Sequence, residues 1–332
     1  MKAVCVIAPG ELVLTDAPEP DAGGNVVVRS STVGICGTDV KILKGKIPVV
    51  YPRILGHEMV GVVVETPVGS SFAPGDRVLV DPAVSCGKCA MCSAGRPNIC
   101  LDGGLVGRDV DGVFAELAAV PESRLTGVPA AITDLASGLL QVLGTCVHAV
   151  EAIDTSPGQT AAVIGLGVGG QLISQLLALR GVTVVGITRS DWKRELAERS
   201  GVVATSGPET ASAMLNDVTS GRGPQIVVEA VGKEETLSQA ISAAATGGQV
   251  LVFGTITGGS QGLPYYELYH KELTLFNPRA ATIEDYREAV RLAASANLDL
   301  ENLVTDRLPL NQAERAFQRA VEPDSLKVLM TL

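Results

Sequence analysis

The residues of this sequence best suited to chemistry are cysteines at short, regular spacing. Cys86, Cys89, Cys92 and Cys100 follow a C-x2-C-x2-C-x7-C pattern within one polar, glycine-containing stretch. Four thiolates in one loop can surround zinc tetrahedrally, because the short gaps let the backbone fold back on itself. Free or disulfide-bonded thiols are the alternative, but nothing else in the sequence is typical of a secreted protein. Since four thiolates leave zinc no open position, the pattern predicts a structural metal site.

A second group of potential metal ligands lies upstream. Cys36 stands within the run Gly34–Asp39, and His57 and Glu58 directly follow a glycine. A catalytic zinc needs about three protein ligands of mixed N, S and O type and one open position. Taken alone, Cys36 and His57 could be a buried thiol and a core histidine. Because the chain has only three histidines and His57 lies in a glycine-flanked turn beside a carboxylate, a metal role is favoured.

A glycine-rich run, GLGVGG, fits the pattern G-x-G-x-x-G. It lies between a predicted strand over residues 160–164 and a predicted helix over residues 169–179. In that context the backbone amides and the helix N-terminus can approach a pyrophosphate. An ordinary glycine turn in a parallel sheet is the alternative. We predict a dinucleotide site whose phosphate-binding residues are Gly165, Gly167, Val168 and Gly170.

The end of the next predicted strand indicates which dinucleotide binds. An NAD site usually has Asp or Glu there, about 20 residues after the glycine run, to accept hydrogen bonds from the ribose 2′-OH. This chain has Thr188, Arg189 and Ser190 instead, with Lys193 nearby. Without the carboxylate a 2′-phosphate is not repelled, and a guanidinium can bind it through two hydrogen bonds. NADP(H) is therefore favoured over NAD(H), unless Arg189 is simply a solvated surface charge.

The elements that must position these residues change in character along the chain. Up to about Leu143, short β-branched runs such as Val26–Val28 are bounded by turn residues, which predicts a β-rich domain. From about Pro157, strands and helices alternate, which predicts a doubly wound parallel sheet and an α/β fold overall. The later predicted elements are strands over residues 160–164, 183–187, 225–231, 249–253 and 327–332 and helices over residues 169–179, 191–200, 234–244, 283–295 and 310–320.

Composition excludes several classes of function. A net charge of −10 and a pI of about 4.9, without any Lys/Arg run, argue against a nucleic-acid partner. The N-terminus has no apolar core of signal-peptide length, and the most apolar region, residues 160–187, is interrupted by polar side chains. We therefore expect a globular protein of the cytoplasm without a membrane span.

In combination, these motifs resemble the zinc-containing medium-chain alcohol dehydrogenases, in the branch that includes polyol and sugar dehydrogenases. The similarity runs through the whole chain, in order: GICGTD at Gly34–Asp39, GHE at Gly56–Glu58, GDRV at Gly75–Val78, the cysteine pattern and the glycine run. It implies a GroES-like catalytic domain over residues 1–145 with a structural-zinc lobe at about 85–101. It further implies a Rossmann domain over residues 146–277, a return to the catalytic domain over residues 278–332, and an active site in the cleft between the domains.

The resemblance also implies roles for individual residues. Cys36 and His57 would bind a catalytic zinc, Glu58 would ligate it directly or exchange with water, and Asp39 would fix the tautomer of His57. Gln141 falls on the family's third ligand position. Its neutral amide is a weaker ligand than a thiolate or carboxylate and leaves more positive charge on the metal.

Other residues qualify these expectations. Cys146 and Glu151 are nearby substitutes for Gln141, and a packed thiol is the alternative for Cys146. Thr38 occupies the position of the hydroxyl that relays the alcohol proton, whereas Lys41 replaces the family's relay histidine. A lysine titrates at about 10, so Lys41 would need a lowered pKa to act as a base. Binding of the ribose or of a substrate oxygen, and a solvated surface position, are the alternatives.

Three further cofactor contacts follow from the expected fold: Val231 and Gly254 at the ends of later strands, and Arg279, which resembles the family's pyrophosphate-binding arginine. The predicted reaction is hydride transfer between NADP(H) or NAD(H) and a secondary alcohol or ketone, on a polyol, sugar or cyclitol, by a homo-oligomer. Tyr51, Phe114 and the region of His270 are candidates for shaping the substrate pocket. A zinc-independent quinone or enone reductase and a non-catalytic nucleotide-binding relative are the alternatives.

Overall fold

The β-branched runs near the N-terminus form strands, as their composition predicts. The computed structural model describes residues 1–256 and 262–332. The strands are β1 (Lys2–Ala8), β2 (Glu11–Asp16), β3 (Val26–Gly34), β4 (Arg53–Ile54), β5 (Glu58–Glu65), β6 (Arg77–Val80), β7 (Ala83–Val84), β8 (Gly104–Leu105), β9 (Leu117–Val120), β10 (Leu125–Gly127), β11 (Thr160–Ile164), β12 (Thr183–Ile187), β13 (Ala204–Ser206), β14 (Ile226–Glu229), β15 (Gln249–Val252), β16 (Thr274–Phe276), β17 (Val304–Pro309) and β18 (Lys327–Thr331).

Helices connect these strands. The α-helices are α1 (Gly37–Leu43), α2 (Ala90–Ser93), α3 (Asp134–Ser137), α4 (Leu140–Glu151), α5 (Val168–Leu179), α6 (Asp191–Arg199), α7 (Ala211–Thr219), α8 (Glu234–Ala243), α9 (Tyr265–His270), α10 (Ile283–Ser295) and α11 (Ala313–Arg319). Among the described residues, 3₁₀ turns lie at Pro97–Ile99, Glu122–Arg124, Glu301–Leu303 and Leu310–Gln312. Within the described residues, no helix is both long enough and apolar enough to cross a membrane.

The chain divides into two units, Met1–Thr145 with Ala280–Leu332, and Cys146–Arg279. In the first unit, the main sheet has the order β10-β6-β5-β3-β18-β17, with β9 also paired to β3. The closing strand β18 runs antiparallel to β3 and parallel to β17, with Leu329 opposite Gly34. Its first residue, Lys327, is thereby brought close to the end of β3.

The second unit is a six-stranded parallel sheet in the order β13-β12-β11-β14-β15-β16. Its central strands are near-continuous apolar runs, as expected for strands covered on both faces. Ala162, Val185, Val227 and Val250 have no exposed surface and share one core cluster. The strand order reverses between β11 and β14, which is where a doubly wound sheet binds ligands at the carboxyl ends of its strands.

The structure corrects several predicted elements. The strand predicted over residues 225–231 ends at Glu229, because Gly232 takes a left-handed conformation (φ +81°) in the turn that follows. The helix predicted over residues 310–320 is a 3₁₀ turn followed by α11. Helix α4 was missed, since its sequence mixes glycine and β-branched residues that are weak helix formers. The boundary of the second unit lies at Arg279, beyond the predicted residue 277.

Candidate metal and cofactor sites

Cys36 is held at the start of α1 by reciprocal capping. Its sulfur accepts a hydrogen bond from the Thr38 amide (3.5 Å), while its own amide donates to the Asp39 carboxylate (2.9 Å). This arrangement is the capping box, in which two otherwise unpaired donors are satisfied together. The GICGTD sequence therefore fixes the thiol by local structure alone.

The loop carrying His57 is shaped by a glycine. Gly56 has φ +92°, and a side chain there would overlap the ring of Phe114. Phe114 has no exposed surface and packs edge-to-face on Phe317, with ring centroids 6.1 Å apart. The expectation that Phe114 shapes a substrate pocket is therefore wrong, since its ring is a core element beneath the metal-site loop.

Asp39 joins Cys36 to His57. Its carboxylate is fully buried, accepts from the Gly56 amide (3.3 Å) and lies 3.4 Å from Nδ1 of His57. That last contact is within ion-pair distance but lacks hydrogen-bond geometry. Although burial by itself lowers the pKa of His57, the charges of Asp39 and Cys36 raise it well above its ordinary value. A carboxylate beside one ring nitrogen leaves the other for a metal.

Glu58 forms a buried ion pair that the sequence did not indicate. Its Oε2 contacts Nζ of Lys327, which also donates to the carbonyl of Ile35 (3.3 Å), and both charged residues are about 3% exposed. Gly34 makes room for the pair, because a side chain at this position would overlap Glu58. A buried charge of this kind is tolerated only when its partner is held in place.

These contacts bring three potential metal ligands together. One ligand atom each from Cys36, His57 and Glu58 lies within 4.8 Å of the others. Sulfur, nitrogen and oxygen donors at this spacing fit a zinc ion, and the buried Asp39 carboxylate beside Nδ1 of His57 fits the supporting contact of such a site.

Gln141 lies buried in the first turn of α4. Its amide nitrogen donates to the hydroxyl of Tyr286 (3.2 Å), which leaves the amide oxygen as the group that could face a metal. Tyr286 is 1% exposed, and burial, followed by the charge of Asp81, raises its pKa well above the ordinary value. Its hydroxyl therefore stays neutral.

The proposed substitutes for Gln141 are engaged elsewhere in the second unit. The Cys146 thiol contacts the carbonyl of Gly169 (3.7 Å), and Glu151 pairs with Arg180. Among the described residues, the group of potential metal ligands at Cys36, His57 and Glu58 does not include them. Both follow Gln141 along α4 and belong to the second unit, whereas Gln141 belongs to the first.

Thr38 and Lys41 both lie on α1 and are half-buried. Positions three apart on a helix share a face. Lys41 stands in the last turn, where a positive charge is favourable because of the helix dipole. The structure is therefore compatible with binding of the ribose or of a substrate oxygen by Lys41, and also with a solvated surface position.

The four cysteines of the C-x2-C-x2-C-x7-C pattern converge in the segment between β7 and β8. One sulfur from each lies within 4.8 Å of the rest, and Sγ of Cys89 is 3.6 Å from Cys92 and 3.7 Å from Cys100. These distances exclude disulfides, whose sulfurs are about 2 Å apart. They match the edge of a tetrahedron with zinc–sulfur bonds of about 2.3 Å. Backbone amides of Cys92 and Leu101 lower the pKa of Cys89 to about 6.

The glycine run after β11 separates into three structural roles. Gly165 has φ +97°, and a side chain there would approach Val231. At Gly170 a side chain would overlap the carbonyl oxygen of Gly165. At Gly167, the N-cap of α5, an added Cβ would meet no described atom within 4 Å. The first and third glycines thus serve the fold, while the space at Gly167 is open for a ligand, as in dinucleotide sites.

The residues after β12 present positive charge. Arg189 is exposed, whereas Thr188 and Ser190 are half-buried. Lys193 lies 5.1 Å above the ring of Trp192, and burial lowers its pKa.

Val231 and Gly254 lie at the carboxyl ends of β14 and β15, and Arg279 is exposed shortly after β16. His270 is exposed and stacks on Tyr266 with ring centroids 5.6 Å apart, and Tyr51 packs against the core of the first unit.

The sequence matches two family descriptions. Residues 22–130 match the alcohol dehydrogenase GroES-like domain, and residues 167–295 match the zinc-binding dehydrogenase domain. The chain belongs to the zinc-binding alcohol dehydrogenase family. The dehydrogenase therefore uses zinc and a nicotinamide cofactor.

Relatives of this dehydrogenase match over nearly its whole length. An L-galactonate-5-dehydrogenase of Escherichia coli is 31% identical over 94% of this chain and 93% of its own. A zinc-binding dehydrogenase of Sinorhizobium meliloti bound to NADP has a TM-score of 0.93 and 31% identity, covering 100% of this chain and 99% of that one. An Escherichia coli alcohol dehydrogenase with NADH has a TM-score of 0.91 and 26% identity, covering 100% and 99%.

Two residues of the dehydrogenase's metal site were missed by sequence reasoning. Lys327 and Tyr286 are both nearly inaccessible to solvent. The available signal was a lysine opening the apolar strand KVLMT, since lysine is almost never fully buried without a partner. Tyr286, in an amphipathic helix, carried no comparable signal.

Proposed function

We propose that this dehydrogenase interconverts a secondary alcohol on a polyol, sugar or cyclitol and the corresponding ketone. The observation that carries the proposal is the convergence of Cys36, His57 and Glu58 within 4.8 Å, beside a buried Asp39. The substrate class is supported by the relative that acts on L-galactonate, and a panel of polyols and sugar ketones assayed with NADP(H) tests it.

Bound at this site, zinc would supply a Lewis acid that lowers the pKa of an alcohol hydroxyl. Asp39 orients His57, and Lys327 compensates the charge of Glu58. Because Gln141 is neutral and Lys327 compensates Glu58, the zinc would keep more positive charge than with a further anionic ligand at position 141.

The proton of the alcohol also needs an acceptor. We assign this role to Oγ1 of Thr38, two residues after Cys36 in the first turn of α1, which would accept the proton while passing its own on towards bulk solvent. Lys41 is three residues further along the same helix and would assist at the cofactor ribose or at a substrate oxygen.

Zinc content tests the division between the two metal sites. We predict two zinc ions per subunit. Cys36→Ala should lose one of them together with at least about 100-fold of kcat/KM, because a ligand of the reacting metal is gone. Cys92→Ser is the matched control, and it should lose the other zinc and lower the melting temperature before it affects hydride transfer in molecules that stay folded.

Metal analysis of the purified proteins, combined with kcat/KM, gives the readout. Full activity of Cys36→Ala with a single zinc would contradict the metal mechanism and favour a zinc-independent reductase. Cofactor binding without turnover of any alcohol or ketone would favour a non-catalytic relative.

We further propose that NADP(H) is preferred, because no carboxylate follows β12 and the guanidinium of Arg189 is exposed there. Arg189→Ala should lower kcat/KM for NADPH about 10-fold or more and leave that for NADH nearly unchanged, since only the 2′-phosphate contact is lost. Arg222→Ala, an exposed arginine after α7, is the control. Equal use of both cofactors, unaffected by the Arg189 substitution, would overturn the preference.

Assembly as a homo-oligomer and location in the cytoplasm are predictions from the sequence and resemblance. Size-exclusion chromatography with light scattering tests the first.

A further inference from the structure

Glu229 is a carboxylate with no exposed surface at the centre of the parallel sheet. It is the last residue of β14, which lies between β11 and β15. Burying a carboxylate is costly unless hydrogen bonds replace the lost hydration. An apolar residue would continue the strand's Ile-Val-Val run without that cost, so the contacts of Glu229 must explain its presence.

One oxygen of Glu229 gathers three donors. Oε1 accepts from the amides of Val231 (2.8 Å) and Gly232 (2.9 Å) and from the hydroxyl of Thr236 (2.7 Å). The two amides belong to the turn after β14, and Thr236 lies in the first turn of α8. A single carboxylate oxygen therefore fixes this turn and ties it to the helix that follows.

The same residue also contacts the end of β15. Its backbone carbonyl accepts from the amides of Phe253 (2.8 Å) and Gly254 (2.9 Å). Its Oε2 has no hydrogen-bond partner among the described residues, and a Cβ on Gly254 would lie 2.5 Å from it and overlap the Gly232 amide. Gly254 thus lets three chain segments meet around the carboxylate.

The turn held by Glu229 faces the glycine run. Cγ2 of Val231 would lie 2.6 Å from a Cβ on Gly165, so the two loops are in close contact. They follow β14 and β11, the strands between which the order of the sheet reverses. A dinucleotide binds outside the carboxyl ends of strands at this point.

We propose that Glu229 is a positioning residue for the nicotinamide cofactor. It touches no ligand itself, since it has no exposed atom, but it presets the Val231–Gly232 turn against the glycine loop before the cofactor arrives. Binding then need not order this wall of the pocket, and preorganisation of that kind increases affinity. The inference rests on the proposed cofactor site at this edge of the sheet.

The test compares two substitutions at one position in the full-length, zinc-loaded protein. Glu229→Gln keeps an oxygen for the amide donors, and Glu229→Leu keeps the volume without an acceptor. The dissociation constant of NADPH is measured by energy transfer from Trp192, the single tryptophan of the chain. We expect the glutamine variant to bind within about 3-fold of wild type. The leucine variant should bind about 10- to 100-fold more weakly, raising KM for the cofactor with little change in kcat at saturation.

Two less disruptive substitutions, at Thr236, test the same role if Glu229→Leu fails to fold. Thr236→Val removes one of the three donors at nearly constant volume, and Thr236→Ser restores it. We expect the valine variant to bind NADPH several-fold more weakly at an unchanged melting temperature without cofactor, and the serine variant to recover wild-type affinity. Affinity that follows the melting temperature across the series, or equal affinity of the valine and serine variants, would overturn the positioning role.

Gly167→Val separates this inference from the cofactor site on which it rests. A Cβ added at Gly167 meets no described atom within 4 Å, and the valine side chain would occupy the space proposed for the pyrophosphate. If NADPH binding is lost there and kept in Glu229→Leu, only the role of Glu229 is wrong. If Gly167→Val binds normally, the assignment of the cofactor site itself fails.

Discussion

The candidate metal site contains several charged side chains that are buried. Cys36, Asp39 and His57 were identifiable from their types and spacing, because capping and a glycine turn are local structures. Lys327 was not, although it decides the charge of Glu58. The position of a lysine in an apolar strand does not indicate which carboxylate it will pair with.

The Glu58–Lys327 pair yields a stability prediction. Lys327→Met should lower the free energy of unfolding by about 3–5 kcal/mol, because the Glu58 carboxylate is left buried without its partner. The double variant Glu58→Gln/Lys327→Met should recover most of this loss, since no uncompensated charge is left.

Urea unfolding of the zinc-free proteins, followed by circular dichroism, measures the effect. Lys2→Met is the control, because Lys2 pairs with Asp16 at the surface and such pairs contribute about 1 kcal/mol or less. A double variant no more stable than Lys327→Met would show that packing, and not charge, is responsible.

At the level of elements, the strand–turn–helix unit from β11 to α5 was predictable. Its apolar strand, glycine run and following helix are contiguous, so the sequence pattern describes the whole unit. The pattern did not distinguish the glycines by role. The surroundings of each glycine distinguish these roles. A Cβ at Gly170 would overlap the carbonyl of Gly165, whereas a Cβ at Gly167 would meet no described atom within 4 Å.

These surroundings predict opposite outcomes for two alanine substitutions. Gly170→Ala should lower the free energy of unfolding by about 1–3 kcal/mol, because its methyl group overlaps the Gly165 carbonyl and forces the helix from the strand. Gly167→Ala should leave stability unchanged, since its φ of −73° suits any residue, and should weaken NADPH binding.

Thermal melts with and without NADPH measure both effects. If Gly170→Ala were as stable as Gly167→Ala, the close helix–strand contact would not be a constraint on the sequence.

At the scale of the whole molecule, stability depends on pH through a buried carboxyl group in an acidic protein. Asp81, directly after β6, is 8% exposed and accepts from the Ala83 amide. Burial raises its pKa to about 6, although that hydrogen bond and the charge of Arg124 act in the opposite direction. The folded state therefore holds this proton where the unfolded chain has released it.

The sign of the effect follows from this difference. A carboxyl group whose pKa is raised on folding contributes stability that is fully present below its unfolded pKa of about 4 and lost as pH rises through about 6. Asp81→Asn keeps an acceptor for Ala83 but cannot ionise. It should be more stable than wild type above pH 6, by on the order of 3 kcal/mol, and equal to it at about pH 4.

Unfolding midpoints between about pH 4 and pH 8 test this prediction, because they span the ionisation of Asp81. Asp217→Asn, at an exposed position on α7, is the control and should follow wild type throughout. Parallel curves for wild type and Asp81→Asn would show that Asp81 ionises normally.

The chemistry that depends on neighbours along the chain was predictable from the residues alone. The cysteine pattern, the capped thiol, the histidine turn and the glycine run are each complete within about 15 residues, so spacing defines them. The family and its use of zinc and a nicotinamide cofactor followed from these motifs, and the family matches confirm them.

The groups that support these motifs became apparent only in the folded protein. Glu58 meets a lysine 269 positions away, Gln141 meets a tyrosine 145 positions away, and the role of Glu229 depends on Gly254 from the adjacent strand. Burial makes these polar contacts necessary, because an unpaired polar group in the core is costly. Which partner satisfies each of them is set by strand order and helix packing, and the spacing of residues does not encode it.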